Sequence, residues 1–340
     1  GTGPLMPTEN IHHITFKSLE PYVFRRDSSF SQCVNQILSA QYNLVVGHFR
    51  DVWGGIAVLQ HPHIFPLFEV NGLPSIEMPD RFPQLGEATR NKLRQLEDYC
   101  LKNAQCVITP SETIHQHLIS RGTPAEKVNV ITNGADLSTP QEPHPLLANK
   151  QYMVYIGALQ PWQGVDVLLR SLRYLEDKED VLLVVCSSYN ARHSKPYRKF
   201  AEKLGVGARV KWMYQLGKNE LQQVIQHALF SIAPLTECTR NLEQGCSPLK
   251  VFESMACGVP VIAADLPVIR EIIRPDTDGK LFRPGRPAEL ARCMRLLIDY
   301  PGHRKNLGAQ ARRTIENRFT WDKIHRQLGQ LYENILIYSF

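Results

Sequence analysis

Between Cys246 and Asp265 the chain reads CSPLKVFESMACGVPVIAAD, and two ionisable residues stand near the start of an otherwise apolar segment. Ser247 is the residue type that caps a helix, and Pro248 suits a first helical position, where no backbone N–H is missed. Gly258 then stops the helix, Pro260 prevents its return, and VPVIAA reads as a short buried strand. The free N–H groups at such a helix start form an anion site. Glu253 lies about one turn inside, and helical side chains lean back toward the N-terminus. A carboxylate there would sit beside whatever anion the helix start holds. The plainer alternative, a surface helix residue, has to contend with apolar neighbours on both sides of Glu253.

The other chemistry-bearing residues are scattered. Eight cysteines (Cys33, Cys100, Cys106, Cys186, Cys238, Cys246, Cys257 and Cys293) make no CxxC pair and no metal-like spacing with histidine. Several fall in expected strands and helices, where free cysteine behaves as a small hydrophobe, so a reducing compartment is expected. His61 and His63 in LQHPHIF lack a third ligand nearby in sequence, which favours two ordinary loop histidines over a metal site. No GxGxxG follows a strand, since GVGAR follows a helix, and GxxxxGK[ST], GxSxG and HExxH do not occur. Dehydrogenase, ATPase, esterase and zinc-peptidase readings lose their main support.

Such a site needs elements to hold it, and 340 residues are enough for two domains with separate cores. Hydrophobic residues at 43% and charged residues at 21% are ordinary for a globular protein. No apolar run approaches a membrane span, and no signal-peptide pattern opens the sequence. GTGPLMP at the start reads as an appended or disordered stretch. A net charge of +6 fits an anionic ligand or weak attraction to an acidic membrane, and equally a solvated basic face.

From residue 40 onward, short apolar runs alternate with amphipathic stretches. YNLVVGH (42–48), HIFPLFEV (63–70) and QCVITP read as strands, with a helix over Ala88–Leu101 and another capped by Ser111. KVNVITNGAD reads as a strand ending in an Asn-Gly turn, and STPQEPHPLLANK (138–150) as the linker between domains. QYMVYIGAL, VLLVVCS, RVKWMY, LFSIAPL and VPVIAA are five further strand candidates separated by helical patterns, and the tail from Pro287 is helical and basic. Strands alternating with helices mean βαβ units and covered parallel sheets. Two such domains would leave a cleft at the carboxyl ends of their strands, where open α/β sheets bind ligands.

IGALQPWQGVDVLLRSL (156–172), SPLKVFESMACGVPVIAADLPVIREII (247–273) and DGKLFRPGRPAELA together resemble the retaining glycosyltransferases of family 4. AQCVITPSETIHQHLISRGTPAEKVNVITNGADL (104–137) is similar to the last part of that family's first domain, and WDKIHRQLGQLYENIL to its closing helix. The resemblance runs from about residue 40 to the end. It implies the GT-B fold: an acceptor-side Rossmann-like domain over 1–145, apparently short of its leading βα units, a nucleotide-sugar domain over 146–320, and a terminal helix over 321–340 crossing back to the first.

It also implies roles. The helix start at Ser247, Pro248, Leu249 and Lys250 would face a donor diphosphate with its backbone N–H groups, and Glu253 would offer two acceptor oxygens to the ribose cis-diol. Gly157 and Gln163 belong to the same donor site, and Tyr214 to the turn MYQLG, against which the base would lie. Four departures mark a variant subgroup. RNLEQGCSPLK replaces the usual two-glutamate motif: the first glutamate falls on Gly245, and Glu243 is off register. The phosphate-binding Arg and Lys fall on Ala158 and Gln163, the sugar-facing His falls on Asn71, and the opening strand with its Gly-rich loop has no counterpart. Arg240 and Lys250 flank the same loop and would replace the lost cations, with Asn241 and Gln244 meeting sugar hydroxyls; a solvated loop charge is the competing reading of Arg240.

The implied activity is transfer of a sugar, with retention, from a nucleotide donor, UDP being the family expectation, to a glycan or lipid-linked acceptor. No cofactor, metal or nucleic acid is expected. Asn71, Arg240 and Lys250 are the catalytic candidates; His48, Arg50, Asp51 and Glu69 are the acceptor candidates. The expected location is cytoplasmic, with peripheral attachment to the inner membrane face. A GT-B-like binding or regulatory subunit without turnover is the competing class. A nucleotide-sugar epimerase of the same fold has no support beyond the fold.

Overall fold

A computed structural model describes residues 23–40 and 44–338 of the chain. GTGPLMP and the first two residues of the expected strand 42–48 lie outside them. The chain divides into two compact units: residues 1–131 with 325–340, and residues 132–324.

The first unit contains α1 (Val23–Ser39), β1 (Val46–Phe49), α2 (Val52–Val58), β2 (Phe65–Glu69), α3 (Pro74–Arg81), α4 (Glu87–Asn103), β3 (Cys106–Thr109), α5 (Glu112–Ser120) and β4 (Val128–Val130). Its four described strands are parallel, in the order β1-β2-β3-β4. Both faces of the sheet are apolar, as parallel strands require. Phe68 and Val107 meet Cys100 and Leu101 of α4 and Ile114 and Leu118 of α5 on one side; Leu67, Cys106 and Ile108 meet Leu328, Leu331 and Ile335 on the other. A buried ion pair anchors the start of α3. Glu97 of α4, fully buried, accepts from the Ser75 backbone N–H at 2.6 Å and hydroxyl at 2.7 Å, and pairs with Arg121 at 2.8 Å. Ser111 caps α5 by accepting from Ile114 N–H.

The second unit runs β5 (Gln151–Ile156), α6 (Val165–Ser171), β6 (Val181–Ser187), α7 (Ala191–Lys203), β7 (Val210–Tyr214), α8 (Lys218–Gln226), β8 (Ser231–Ala233), α9 (Leu249–Ala256), β9 (Val261–Ala264), α10 (Pro267–Arg270), β10 (Gly279–Phe282), α11 (Pro287–Asp299) and α12 (Pro301–Arg318). The last helix, α13 (Trp321–Tyr338), starts here and belongs to the first unit from His325. The six parallel strands lie in the order β10-β9-β8-β5-β6-β7. The chain therefore moves outward from β5 in one direction and from β8 in the other. The junction of β5 and β8 is the switch point at which an open α/β sheet places its ligand crevice. Among the described residues no helix is long and apolar enough to cross a membrane.

Three local expectations are corrected. The stretch 138–150 is no free linker: Gln226 bonds to Gln141 and Thr139, and Leu147 is buried among Tyr152, Val154 and Val224. The division falls at Ile131/Thr132, and the stretch is held to the second unit through Leu147 and Gln141, in a segment whose sequence offers no periodicity to judge. Asn133-Gly134 makes no turn. The segment leads without regular structure to a bridge between Ala135 and Thr320, and a Cβ on Gly134 would lie 2.9 Å from the Phe319 carbonyl, so close approach is what needs the glycine. A sixth strand of the second sheet, β10, lies at an edge in DGKLF, with Lys280 diluting its apolar signal.

Candidate active site

Two loops flank the switch point in the second unit. The loop after β5 opens at Gly157, whose φ of +134° admits only glycine cheaply. It closes at Gly164, where a Cβ would overlap the Pro234 carbonyl at 1.8 Å. The loop after β8 carries a wide helical turn over Arg240–Gln244. Asn241 stitches the two together: its amide donates to the Trp162 carbonyl at 3.0 Å and the Thr236 carbonyl at 2.8 Å.

That loop delivers α9. Its cap is Pro248, with no side-chain bond, and the helix starts at Leu249. The expected capping by Ser247 is corrected: the Ser247 carbonyl instead accepts from Asn133 Nδ2 at 3.1 Å, which holds the residue ahead of the helix. The N–H groups of Leu249 and Lys250 thus precede any intrahelical acceptor. Gly258, at φ +71°, ends the helix as its position in the sequence suggested.

Lys250 turns inward. It is 8% exposed, and its Nζ donates to Gln163 Oε1 at 2.5 Å and lies 4.3 Å from the centroid of the Tyr155 ring. Tyr155 is oriented by donating to the Ala158 carbonyl at 2.7 Å. A Cβ on Gly157 would sit 3.0 Å from the Lys250 nitrogen, so the glycine makes room for the ammonium. Burial pulls the Lys250 pKa down to about 7, with nearby Arg240 adding to the effect and Cys246 and Glu253 opposing it. Arg240 is no loosely solvated charge. Its guanidinium lies 5.3 Å from the Trp162 ring centroid, donates to Asn241 Oδ1 at 3.2 Å and bonds the Cys246 side chain.

On the neighbouring face of α9, Glu253 lines a cavity of ≈ 220 Å³ with Leu249, Cys257, Gly134, Ala135, Asp136, Trp321 and the α8 residues Lys218, Leu221, Gln222 and Ile225. Burial raises the Glu253 pKa, and Lys250 and Lys218 pull it partly back. Lys218 and Asp136 pair at 3.0 Å, both exposed.

The structure thus gathers Gly157, Gln163, Lys250, Arg240 and Glu253 around the start of α9. Three expected residues are placed otherwise. Asn241 is fully buried with its amide hydrogens spent on backbone carbonyls, so it braces the loop. Gln244 is also fully buried and bonds the Gly245 carbonyl at 3.4 Å. Tyr214 ends β7 with its hydroxyl 2.6 Å from that of Ser194 and does not line the cavity. Gly245 is buried at φ +82°, ψ 177°, a conformation essentially confined to glycine. Sequence reasoning missed Asp136, Lys218 and Trp321; only the spacing of Lys218 just after the MYQLG turn carried a signal.

The first unit holds a second polar cluster, at the carboxyl ends of β1 and β2. Glu69 accepts from Arg50 at 2.6 Å and Asn71 at 2.8 Å through Oε1, and meets His48 Nε2 at 2.8 Å through Oε2. His48 Nδ1 is 2.6 Å from the hydroxyl of Tyr332 on α13. Burial works against the Glu69 charge, but hydrogen bonds from His48, Arg50 and Asn71 outweigh it and hold the pKa at about 2. Asp51 stands apart as the cap of α2, accepting from Trp53 and Gly54 N–H, so its carboxylate is committed to the helix. Tyr332 escaped the sequence reading because it lies on an apolar helical face with Leu328, Leu331 and Ile335. His61 bonds Asn35 at 2.7 Å, and among the described residues no group of His, Cys, Asp and Glu has the makings of a metal site.

Residues 139–314 match the family described as glycosyl transferases group 1, and residues 3–139 match the one described as Glycosyltransferase Family 4. The chain belongs to the glycosyl transferases group 1 family. Among curated relatives, this group 1 chain is similar to a D-inositol 3-phosphate glycosyltransferase of Rhodococcus jostii, 25% identical over 83% of the chain and 64% of the relative. A second, from Streptomyces bingchenggensis, is 30% identical over 53% of the chain and 39% of the relative. The chain therefore spans less than two thirds of the length of either. Among solved structures, sucrose-phosphate synthase from Thermosynechococcus elongatus matches with a TM-score of 0.78 at 20% identity, over 95% of this chain and 81% of that one. Anabaena Alr3699/HepE in complex with UDP-glucose matches at 0.73 and 20% identity, over 91% and 82%. These likenesses establish the fold, the two Rossmann-like α/β domains of the GT-B class.

Proposed function

We propose that this group 1 chain is a retaining glycosyltransferase that moves a sugar from a nucleotide donor, UDP-linked, to a glycan or lipid-linked acceptor. The observation that carries the reading is the convergence within the first turns of α9: unbonded backbone N–H groups, the buried Lys250 ammonium, and Glu253 beside a cavity. A diphosphate suits the helix start and Lys250; a ribose cis-diol suits the two oxygens of Glu253; the cavity has room for a base. Support for UDP comes from HepE, which has this fold and was solved with UDP-glucose.

In the proposed reaction the bond from the anomeric carbon to the diphosphate oxygen breaks. The acceptor hydroxyl oxygen bonds to the same face, and its proton passes to a phosphate oxygen. The charge developing on the leaving diphosphate is met by the protein's own groups, the α9 N-terminus, Lys250 and Arg240, so the proposal includes no metal and no cofactor. On the acceptor side His48, Arg50, Glu69, Asn71 and Tyr332 offer donors and acceptors to sugar hydroxyls. Peripheral attachment to an acidic membrane face rests on the net charge of +6.

Calorimetry with UDP, followed by assay of UDP release from a panel of UDP-sugars, tests this. Wild type should bind UDP, and Glu253→Ala should weaken binding by about tenfold or more, as loss of a charge-assisted bond does. Unchanged affinity would sink the ribose assignment. A second reading, nucleotide binding without turnover, draws on Gly245, whose glycine-only backbone leaves no carboxylate at the first motif position. Tight UDP binding with no release from any donor would favour it.

A further inference from the structure

The second unit has another cavity, of ≈ 300 Å³, lined by Arg170, Arg173, Tyr174, Leu204 and Pro287, and it shares no lining residue with the one beside Glu253. Arg170 lies in the last turn of α6, and Arg173 and Tyr174 follow in the next turn; Leu204 caps α7 and Pro287 opens α11. Both arginines are exposed, and among the described residues neither has an ion-pair partner. Arg270, Arg274, Arg283 and Arg295 of the same unit each sit on a carboxylate. The two guanidinium groups at the cavity are not tied up in this way.

Their surroundings reinforce a positive potential. The Arg170 guanidinium lies 4.8 Å from the Phe200 ring centroid, a stacking contact that orients the fork without using its N–H donors. Phe200 belongs to α7, ARHSKPYRKFAEK, which carries five Lys or Arg against one Glu. Pro287 brings the N-terminus of a 13-residue helix to the cavity, and the positive end of its dipole with it. The one acid of that first turn, Glu289, is turned to Arg283. Tyr174 is 54% exposed and presents a phenolic hydroxyl at the rim. Low-dielectric walls lined by one sign of charge focus the field on an anion.

We propose that this cavity binds a phosphate group. Two planar guanidinium forks and a hydroxyl match an anion with several acceptor oxygens, and neither fork must first release an internal carboxylate. The proposal is independent of the donor assignment. The phosphate could belong to a small phosphorylated molecule or to an anionic phospholipid headgroup, and the two sources separate by experiment.

The test compares the wild-type chain with the R170Q/R173Q variant, both saturated with UDP so that the site near Glu253 does not contribute. Inorganic phosphate is titrated by calorimetry, and in parallel each protein is sedimented with phosphatidylcholine vesicles with and without phosphatidic acid. Phosphate binding to wild type that falls by about tenfold or more in the variant, at equal thermal stability, supports the proposal with a small phosphate as ligand. Selective sedimentation of wild type with phosphatidic acid vesicles supports it with a headgroup as ligand. Equal behaviour of the two proteins with both probes, or no binding of either probe, overturns it. If UDP does not bind, the donor assignment fails, and the comparison still decides the cavity because both proteins are measured alike.

Discussion

Lys250 Nζ and Gln163 Oε1 lie 2.5 Å apart, joining two positions 87 residues distant in the chain. The amine rises from α9 into the pocket and is held over Tyr155. Unlike a surface lysine it is desolvated, which sets its pKa at about 7.

Proton uptake on nucleotide binding should report this lysine. Above pH 7 much of the free protein has neutral Lys250; a bound diphosphate restores its charge and takes up a proton. Calorimetry of UDP binding near pH 8 in buffers of different ionisation enthalpy should show net uptake. Near pH 6 the uptake should be close to zero, and in Lys250→Met it should vanish, with UDP affinity lowered about tenfold.

The same residue shapes stability against pH. Its folded pKa is below the ordinary 10.5, so between 10.5 and about 7 the unfolded chain binds the extra proton. Stability from this source is complete above 10.5, declines as pH falls to about 7, and is flat below. Chemical denaturation across that window should slope more steeply for wild type than for Lys250→Met.

Glu69 predicts an acid limb. Its pKa falls from the ordinary 4.5 to about 2, so the stability it contributes is present above 4.5 and is lost as pH drops through about 2. Glu69→Gln should be less stable than wild type at pH 7. The gap should close between 4.5 and 2 when denaturation is followed by circular dichroism.

Arg121 and Glu97 form a buried pair whose partners do not substitute for one another. Arg121→Met leaves the Glu97 carboxylate fully buried with only Ser75 to satisfy it, and should cost about 3–5 kcal/mol in urea unfolding. Adding Glu97→Gln to that variant should recover part of the loss, because the stranded charge is removed.

Restoring the family's first glutamate should not restore its role. Gly245→Glu forces a side chain onto φ +82°, ψ 177°, and should destabilise the protein by at least ~1–3 kcal/mol as measured by thermal unfolding.

How far the sequence alone reached follows from the range of the forces involved. The course of α9 was legible because helix arrest at Gly258 and the VPVI run are local. The alternation that gives two parallel sheets was legible because a buried strand and an amphipathic helix each write a period into the chain. Pro248 in place of Ser247 as the cap was not, since the Asn133 bond that holds Ser247 comes from 114 residues away. The absence of a turn at Asn133-Gly134 was hidden for the same reason: an Asn-Gly pair satisfies a turn locally, and only the Phe319 carbonyl makes closeness the governing constraint.

The tertiary structure decided which polar residues face a ligand and which serve the fold. Asn241, Gln244 and Asp51 look the same in sequence as Asn71 and Glu69, yet the first three are bonded to backbone groups, Asn241 across to the neighbouring loop and the other two close by in the chain. Tyr332 joins His48 only because α13 packs on the first sheet. Lys250, the oddity of an apolar helix, was visible from the start as a charge near an anion site. Its burial, and with it the depressed pKa, exists only once β5, Gly157 and Gln163 close around it, because desolvation is a property of the whole surrounding volume and has no counterpart in the order of residues.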